Sequence, residues 1–286
     1  MFVRSTRLLA SLMAAVIAVS ASHGPAPAAG HNTPASDAAN AADRLKVAYP
    51  GLIENIEGND VVFADGTRLP FDDGTAHKSF SDWLATPDIE DMFRTPYVPG
   101  DVKNAPVVDG DPGRARNGAF FGKIYGDCRS AGFAKSLVDV VWLPKKSGQI
   151  LKVSKINGAA GRLKAVSLEL DALPDSFDAF LFPSAGTFNC RAVAGTKTMS
   201  AHGYGIAIDI ALKHAHYWRW TKAANGAGTA YKNEIPFEIV RIFEKHGFIW
   251  GGKWYHYDTM HFEYRPELLP PEAPLVPAAA APNQAQ

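Results

Sequence analysis

The chain has 286 residues, which is long enough for one large domain or two small ones. It carries 29 Lys and Arg residues and 29 Asp and Glu residues, so its formal net charge is zero and no basic excess indicates a nucleic-acid partner. Hydrophobic residues make up 47% and charged residues 20%, which is an ordinary globular composition. This composition excludes collagen, a coiled coil and a wholly disordered chain. The long apolar run lies at the extreme N-terminus, which excludes a polytopic membrane protein.

The N-terminal run has the features of a secretory signal peptide over residues 1–21. Arg4 and Arg7 precede an apolar stretch at residues 8–19, and small residues stand before a cleavage site after Ala21. The apolar stretch is short for a membrane span, although an uncleaved anchor is the alternative. We therefore expect an exported protein, periplasmic or extracellular, with no stable membrane span after cleavage of the leader.

Composition divides the rest of the chain into four parts. Residues 22–44 are rich in Ala, Pro, Ser and Asn, which is typical of a flexible linker. Residues 270–286 form a Pro/Ala-rich tail that we expect to be disordered. Between these segments we expect an N-terminal elaboration at 45–160 and a second region at 161–269.

Apolar periodicity and turn residues predict elements along the body of the chain. In its first half they predict a β-hairpin at 52–71, a helix at 80–93, an irregular segment at 95–118 and strands at 137–143 and 149–156. Residues 163–173 fit either a helix or a strand. In the second half they predict a strand at 206–210, a helix at 236–246 and a strand at 260–264.

Cys128 and Cys190 are the only cysteines of the chain. In an exported protein a lone pair favours a disulfide, which would tie the N-terminal elaboration to the second region. A cysteine nucleophile is the alternative, and a metal-free thiol peptidase that uses Cys190 would be inhibited by alkylation and indifferent to chelators.

Three residues of the second region have the character of metal ligands. His202 lies just before the strand at 206–210, and His261 lies on the strand at 260–264. Asp209 lies on the first of these strands, where Ala207 and Ala211 flank it on the same face. A buried, unpaired carboxylate on an apolar strand is costly and needs a partner. Two imidazoles and one carboxylate would form a zinc site of the catalytic type, with a fourth position open for water. Each histidine could instead have an ordinary core or surface role.

Two further residues could complete such a site. Asp258 lies three residues before the last ligand and could act as a general base, and Arg191 lies eleven residues before the first and could hold a carbonyl oxygen or an oxyanion. His214 and His216 form a rival metal-binding pair, but no acidic residue stands close to them in sequence.

The ligands fall within motifs that resemble signatures of the zinc D-alanyl-D-alanine carboxypeptidase family. Residues 200–209, SAHGYGIAID, are similar to S-x-H-x-x-G-x-A-x-D, and residues 258–263, DTMHFE, are similar to D-x-x-H-x-E. Residues 247–254, GFIWGGKW, match the G-F-x-W-G-G-x-W segment that precedes the second signature. The resemblance covers residues 186–266. The family includes cell-wall carboxypeptidases, D-Ala-D-Ala dipeptidases and phage L-Ala-D-Glu endolysins.

The resemblance implies an α+β fold of the hedgehog/DD-peptidase type, in which a small antiparallel sheet has flanking helices, here with a β-rich N-terminal elaboration. It implies one zinc ion per chain on His202, Asp209 and His261, with Asp258 as catalytic base and Arg191 as substrate or transition-state binder. Four more residues are expected around the site: Ser200, His256, Glu263 and Trp254. His256 would assist at the transition state or merely pack. Glu263 would orient a ligand or form a surface salt bridge with Arg265 or a lysine.

The function that follows is that of a zinc peptidase acting on peptidoglycan stem peptides, which contain D-amino acids. A D-Ala-D-Ala carboxypeptidase and an L-Ala-D-Glu endopeptidase are both consistent with the motifs. The alternative is a catalytically silent, zinc-containing module that binds the cell wall or a partner, because one fold can serve several functions. The presence of Asp258 beside all three ligands favours the enzyme.

Overall fold

The structure is a computed structural model that describes residues 34–102, 104–193, 196–220 and 230–270. The predicted signal peptide, the first part of the predicted linker and nearly all of the predicted C-terminal tail lie outside these residues. Among the described helices, none is both long and apolar enough to cross a membrane.

Helices and short strands alternate along the described chain. The helices are α1 (Pro34–Ala48), α2 (Phe80–Ala85), α3 (Gly118–Tyr125), α4 (Ala159–Asp171), α5 (Asp178–Leu181) and α6 (Phe237–Lys245). The strands are β1 (Ile53–Glu57), β2 (Asp60–Phe63), β3 (Arg68–Pro70), β4 (Leu137–Trp142), β5 (Gln149–Ser154), β6 (Ala207–Asp209), β7 (Phe248–Trp250) and β8 (His261–Tyr264).

The strands form three small antiparallel sheets. Strands β1, β2 and β3 form a meander, β4 and β5 form a hairpin, and the third sheet has the order β6-β8-β7. The predicted α+β class with small antiparallel sheets and flanking helices is therefore confirmed. The predicted hairpin at 52–71 contains three strands, because a second turn at Gly58 and Asn59 precedes the turn at Asp65 and Gly66.

The helix predicted at 80–93 needs correction. The helix predicted at 80–93 ends at Ala85, and a separate 3-10 helix follows at Glu90–Phe93. The break falls before Pro87, since proline disfavours helical geometry in the residue that precedes it and cannot donate a backbone hydrogen bond. The apolar spacing of this segment predicts one continuous helix, whereas Pro87 marks the position of the break.

Helix α1 begins inside the segment that was predicted to be a linker. Residues 34–44 belong to this helix, in which Ala41 and Leu45 are buried in the core. Small and polar residues dominate the start of α1, so composition alone did not distinguish it from a tether. The segment predicted as irregular at 95–118 is followed directly by α3, which no sequence pattern had indicated.

One hydrophobic core contains side chains from both predicted regions. Leu45 and Phe120 from the N-terminal part belong to the same buried cluster as Ile208 and Phe262 from the second part. The boundary at 160 stays a prediction, but the two parts share their packing.

The predicted disulfide between Cys128 and Cys190 is confirmed, with the two Cα atoms 5.7 Å apart. It joins the segment after α3 to the segment that leads towards His202. A bonded Cys190 has no thiolate to offer, so the structure does not support a thiol peptidase.

Candidate metal centre

The register of the third sheet places two of the predicted ligands side by side. Strands β6 and β8 are antiparallel, and Asp209 lies directly opposite His261. Directly opposed residues of an antiparallel pair project from the same face of the sheet. As a result, Asp209 Oδ1 lies 2.9 Å from His261 Nδ1.

His202 reaches the same point from a single 3-10 turn at Ala201–Tyr204. The Ser200 hydroxyl caps this turn by accepting a hydrogen bond from the His202 backbone N–H. Gly205 ends the turn with a φ of +69°, and an added Cβ there would lie 2.8 Å from Leu137 Cδ2. The glycine of the first motif is therefore required both by its backbone conformation and by the space around it.

The three donor atoms form a compact triangle. His202 Nε2 lies 3.2 Å from Asp209 Oδ1 and 3.1 Å from His261 Nδ1. All three residues offer ligand atoms within 4.8 Å of one another. A tetrahedral zinc ion with bonds of about 2.0–2.1 Å would hold its ligands about 3.3 Å apart. The spacing and the chemistry of this donor set therefore fit a zinc ion.

The orientation of His202 is set by a backbone carbonyl on its other side. His202 Nδ1 lies 2.5 Å from the carbonyl oxygen of Thr187, which can only accept a hydrogen bond. Nδ1 therefore carries the proton, and the lone pair of Nε2 is directed towards Asp209 and His261. Histidine residues that bind a metal usually donate a hydrogen bond from the other ring nitrogen to such an acceptor.

The far side of His261 faces a buried ion pair. His261 Nε2 lies 3.8 Å from Glu263 Oε1, and Glu263 is completely buried. Arg116 binds the Glu263 carboxylate through two nitrogens, Nε and Nη2, each at 2.7 Å. The alternative of a surface salt bridge with Arg265 is wrong, because Arg265 pairs with Glu267 instead.

The electrostatics of this cluster favour a bound cation. Burial would raise the pKa of Glu263, but the charge of Arg116 and the hydrogen bonds of Arg116 and His261 together outweigh burial and hold that pKa well below its ordinary value. Burial lowers the pKa of His261, yet its hydrogen bond to Asp209 and the nearby Glu263 raise that pKa to about 10. Without a metal, the cluster therefore retains a proton, which an incoming ion has to displace.

Asp258 supplies an unpartnered carboxylate next to the triangle. The His261 backbone N–H donates to the Asp258 carbonyl, while Asp258 Oδ1 is buried and has no hydrogen-bond partner among the described residues. Burial raises the pKa of this carboxyl to about 6. Gly251 allows the close approach of this loop, since an added Cβ would lie 2.6 Å from the Asp258 carbonyl oxygen. A buried carboxylate with a raised pKa is typical of a group that transfers protons.

Residues 194–264 match the family model for D-alanyl-D-alanine carboxypeptidase. The match supports the family that the two motifs resemble, and it spans the three donor residues and Asp258. It leaves out Arg116 and the rest of the N-terminal region. No curated protein and no solved structure matches the chain. The family implies a hydrolase of the peptidase type that acts on peptidoglycan.

His256 is held in a fixed orientation by a residue that the sequence analysis missed. Asp111 is fully buried, accepts the His256 backbone N–H at 3.0 Å and lies 2.9 Å from His256 Nδ1. The His256 ring also stacks on Phe80 at a centroid distance of 4.9 Å and meets the edge of Trp218 at 4.7 Å. His256 is thus both packed and hydrogen-bonded beside the candidate site.

Trp254 and Arg191 have contrasting positions. The Trp254 ring lies 5.7 Å from the His261 ring and is buried, so it packs against a donor residue. Arg191 is exposed, and its guanidinium lies 3.5 Å from the Ala192 carbonyl oxygen. Its own carbonyl accepts the Ser200 N–H, which places the Arg191 backbone beside the His202 turn. The described contacts therefore do not bring the Arg191 side chain to the donor atoms.

His214 and His216, the alternative metal-binding pair, both contact the carboxylate of Glu234. His214 Nδ1 and His216 Nε2 lie 2.9 and 2.8 Å from separate oxygens of Glu234. Among the described residues, these three do not form a donor set as compact as the triangle around Asp209.

Three charged residues of the N-terminal region escaped the sequence analysis: Asp111, Arg114 and Arg116. All three lie in the segment predicted to be irregular, and no motif marks them. The available signal was the charge of these residues within a segment rich in proline and glycine, which other charged residues of the segment share.

Proposed function

We propose that the protein is a zinc-dependent peptidase that hydrolyses stem peptides of peptidoglycan containing D-amino acids. The observation that carries this proposal is a triangle of donor atoms 2.9–3.2 Å apart beside a buried, unpartnered carboxylate. The family match at residues 194–264 supports it. The proposal includes a fold of the hedgehog/DD-peptidase type and an exported location, where peptidoglycan is met.

In this proposal His202, Asp209 and His261 hold one zinc ion. When bound, zinc would polarise the scissile carbonyl and lower the pKa of a coordinated water to about 7. Asp258 takes a proton from the attacking water at Oδ1 and passes it to the leaving amine. Its pKa of about 6 suits both steps, because the carboxylate is charged at neutral pH yet accepts a proton readily.

The surrounding residues keep the donor residues in place. The Thr187 carbonyl fixes the tautomer of His202, and Glu263 faces the outer nitrogen of His261. Arg116 in turn holds the Glu263 carboxylate with two hydrogen bonds. Such supporting contacts orient ligands and raise the metal affinity of a site. A catalytically silent zinc module would need the same support, but it would have no use for the unpartnered carboxylate of Asp258.

A digest of purified peptidoglycan, read by mass spectrometry, tests the proposal. The zinc-loaded protein should release terminal D-alanine, as a carboxypeptidase, or create new D-glutamate amino termini, as an endopeptidase. A chelated sample should do neither, and restored zinc should recover the product. The variant Asp258→Asn should bind zinc and form no product.

Asp139→Asn is the matched control, because Asp139 is an exposed carboxylate paired with Lys152 on the β4–β5 hairpin. This variant should digest as the wild type does. Zinc-loaded protein that forms no product in any sample would contradict the proposal and favour a silent module.

A further inference from the structure

Arg114 lies in a loop of the N-terminal region that is bonded to the loop carrying Asp258. The Tyr255 backbone N–H donates to the Gly110 carbonyl at 3.0 Å, and Arg114 Nη1 lies 3.4 Å from the His256 carbonyl oxygen. Both contacts are outside the helices and strands, so they join the two loops directly. Arg114 is therefore anchored within two residues of Asp258, although it lies outside the family match.

One aromatic ring connects the Arg114 side chain with the candidate metal centre. The Arg114 guanidinium carbon lies 5.5 Å from the centroid of the Trp254 ring. The same ring lies 5.7 Å from the ring of His261. The Arg114 charge also acts on Asp258, where it partly offsets the effect of burial on the carboxyl pKa. The cation thus contacts the ring that packs against His261, and its charge acts on the proposed base.

The guanidinium is oriented by one carboxylate and retains further donors. Arg114 Nη1 donates to Asp111 Oδ2 at 2.7 Å, and Asp111 is itself fully buried. Nε and Nη2 of Arg114 have no hydrogen-bond partner among the described residues, and the side chain is 15% exposed. A second donor without a partner, the buried Nε1 of Trp218, belongs to the ring that contacts His256. These free N–H groups suit an anionic group, since a guanidinium binds a carboxylate through two parallel hydrogen bonds.

We propose that Arg114 binds the free C-terminal carboxylate of the substrate peptide beside the candidate metal centre. The proposal rests on the peptidase function proposed above and makes the protein a carboxypeptidase. A peptide cleaved at an interior bond offers no such carboxylate and would leave Nε and Nη2 of Arg114 without an acceptor. This role differs from the one predicted for Arg191, which was to hold a carbonyl oxygen or an oxyanion, and the prediction for Arg191 stays a prediction.

A pair of peptides that differ in one group tests this assignment. Diacetyl-L-lysyl-D-alanyl-D-alanine has a free carboxylate, and its C-terminal amide does not. We expect the zinc-loaded full-length protein to cleave the free acid with a kcat/KM at least about tenfold higher than that of the amide, as a charge-assisted hydrogen bond allows. Arg114→Gln should lower kcat/KM for the free acid by about tenfold or more and lower that for the amide by a clearly smaller factor, because the free acid alone loses a carboxylate contact.

Two further variants control the experiment. Arg68→Gln removes an exposed arginine that pairs with Glu57 at the edge of the β1–β3 sheet and should leave cleavage of both peptides unaffected. Arg114→Lys keeps the positive charge beside Asp111 but loses the forked donors, so it should weaken cleavage of the free acid only, by a smaller factor. This variant decides the question if Arg114→Gln does not fold.

Binding of the carboxylate by Arg114 can also be measured without catalysis. N-acetyl-D-alanine should shift NMR signals of the metal-free wild type more strongly than N-acetyl-D-alaninamide does, and the difference should disappear in the Arg114 variants. Equal cleavage of the two peptides by the wild type, or an equal loss on both in Arg114→Gln, would overturn this assignment and leave the peptidase function standing. Cleavage of neither peptide by the zinc-loaded wild type would overturn this assignment, and the digest of purified peptidoglycan would then distinguish an endopeptidase from a silent module.

Discussion

The carboxylate of Asp258 is the most informative single group in the molecule. Its Oδ1 is buried without a partner among the described residues, and burial raises its pKa from 3.8 to about 6. Only the charged form can accept a proton. Since the charge of a bound zinc ion would lower the pKa of this carboxyl below its metal-free value, we expect kcat/KM of the zinc-loaded protein to fall only below about pH 6 and to be level above it. An acidic limb with its midpoint clearly above pH 6 would show that a group other than Asp258 governs the rate.

The same shift makes a prediction about stability. Since the folded pKa lies above the ordinary value, the carboxyl favours the folded state at pH values below about 3.8. This contribution is lost as the pH rises through about 6. A neutral residue of the same shape escapes that loss. Asp258→Asn should therefore raise the free energy of unfolding of the metal-free protein at pH 7.5, by at most about 3 kcal/mol.

Denaturant unfolding at pH 7.5 and pH 4 measures this gain. The gain in the free energy of unfolding should be smaller at pH 4, where the carboxyl of the folded wild type is mostly protonated. Asp139→Asn, on the exposed hairpin, should show no such gain. A destabilised Asp258→Asn variant at pH 7.5 would mean that the carboxylate has a stabilising partner.

Arg116 and Glu263 give a prediction about metal affinity. Removing the cation leaves Glu263 buried and unpaired behind His261, so Arg116→Gln should raise the zinc dissociation constant by about 10–100-fold. The loss of a buried partner should also lower the free energy of unfolding by about 3–5 kcal/mol. Competition with a chromophoric chelator measures the first effect, with Arg68→Gln as the control. Unchanged zinc affinity would show that Glu263 plays no part in orienting His261.

At the scale of elements, the turn before β6 sets the position of His202. Gly205 has a positive φ, and its added Cβ would lie 2.8 Å from Leu137 Cδ2 and 3.1 Å from the Ser154 backbone nitrogen. Gly205→Ala should therefore strain the turn and weaken both folding and zinc binding. Gly132→Ala is a suitable comparison, because an added Cβ there meets nothing within 4 Å. Calorimetric melting of both variants should show a clear drop in Tm for Gly205→Ala only.

The disulfide is a second stabilising feature at the scale of elements. Cys128 and Cys190 are 62 residues apart, and closing a loop of that length stabilises the folded state by about 4 kcal/mol in the chain-entropy treatment. The double variant Cys128→Ser, Cys190→Ser should lose stability of this order, as measured by urea unfolding. Zinc content should survive under native conditions, because neither sulfur belongs to the donor triangle. A variant as stable as the wild type would show that packing alone joins the two segments.

Short motifs made part of the site predictable at this scale. Alternating residues indicated strands at 206–210 and 260–264, and the observed β6 and β8 lie within them. The pairing of Asp209 with His261 depends on the sheet register, which local patterns do not contain. The length of α2 was missed although Pro87 marked its limit, because apolar spacing was given more weight than the proline.

At the scale of the whole molecule, the N-terminal region is part of the site. It contributes Arg116 to Glu263 across 147 residues of chain and Asp111 to His256 across 145. These contacts join segments that only tertiary folding brings together, so no spacing in the sequence could predict them. The motifs located the donor residues because each motif is local, whereas their supporting partners come from a loop without a motif. The N-terminal region is accordingly required for the geometry of the candidate metal centre.

A zinc titration of activity tests the central claim most directly. The purified protein is freed of metal by a chelator, zinc is added in fractions of one equivalent, and the release of peptide products from purified peptidoglycan is followed at each step. We expect activity to be absent without metal, to increase in proportion to zinc and to level off at one equivalent per chain. The variant His202→Ala should stay inactive over the same range. Activity that persists in the metal-free protein, or that is absent at every zinc concentration, would contradict the assignment of a zinc peptidase.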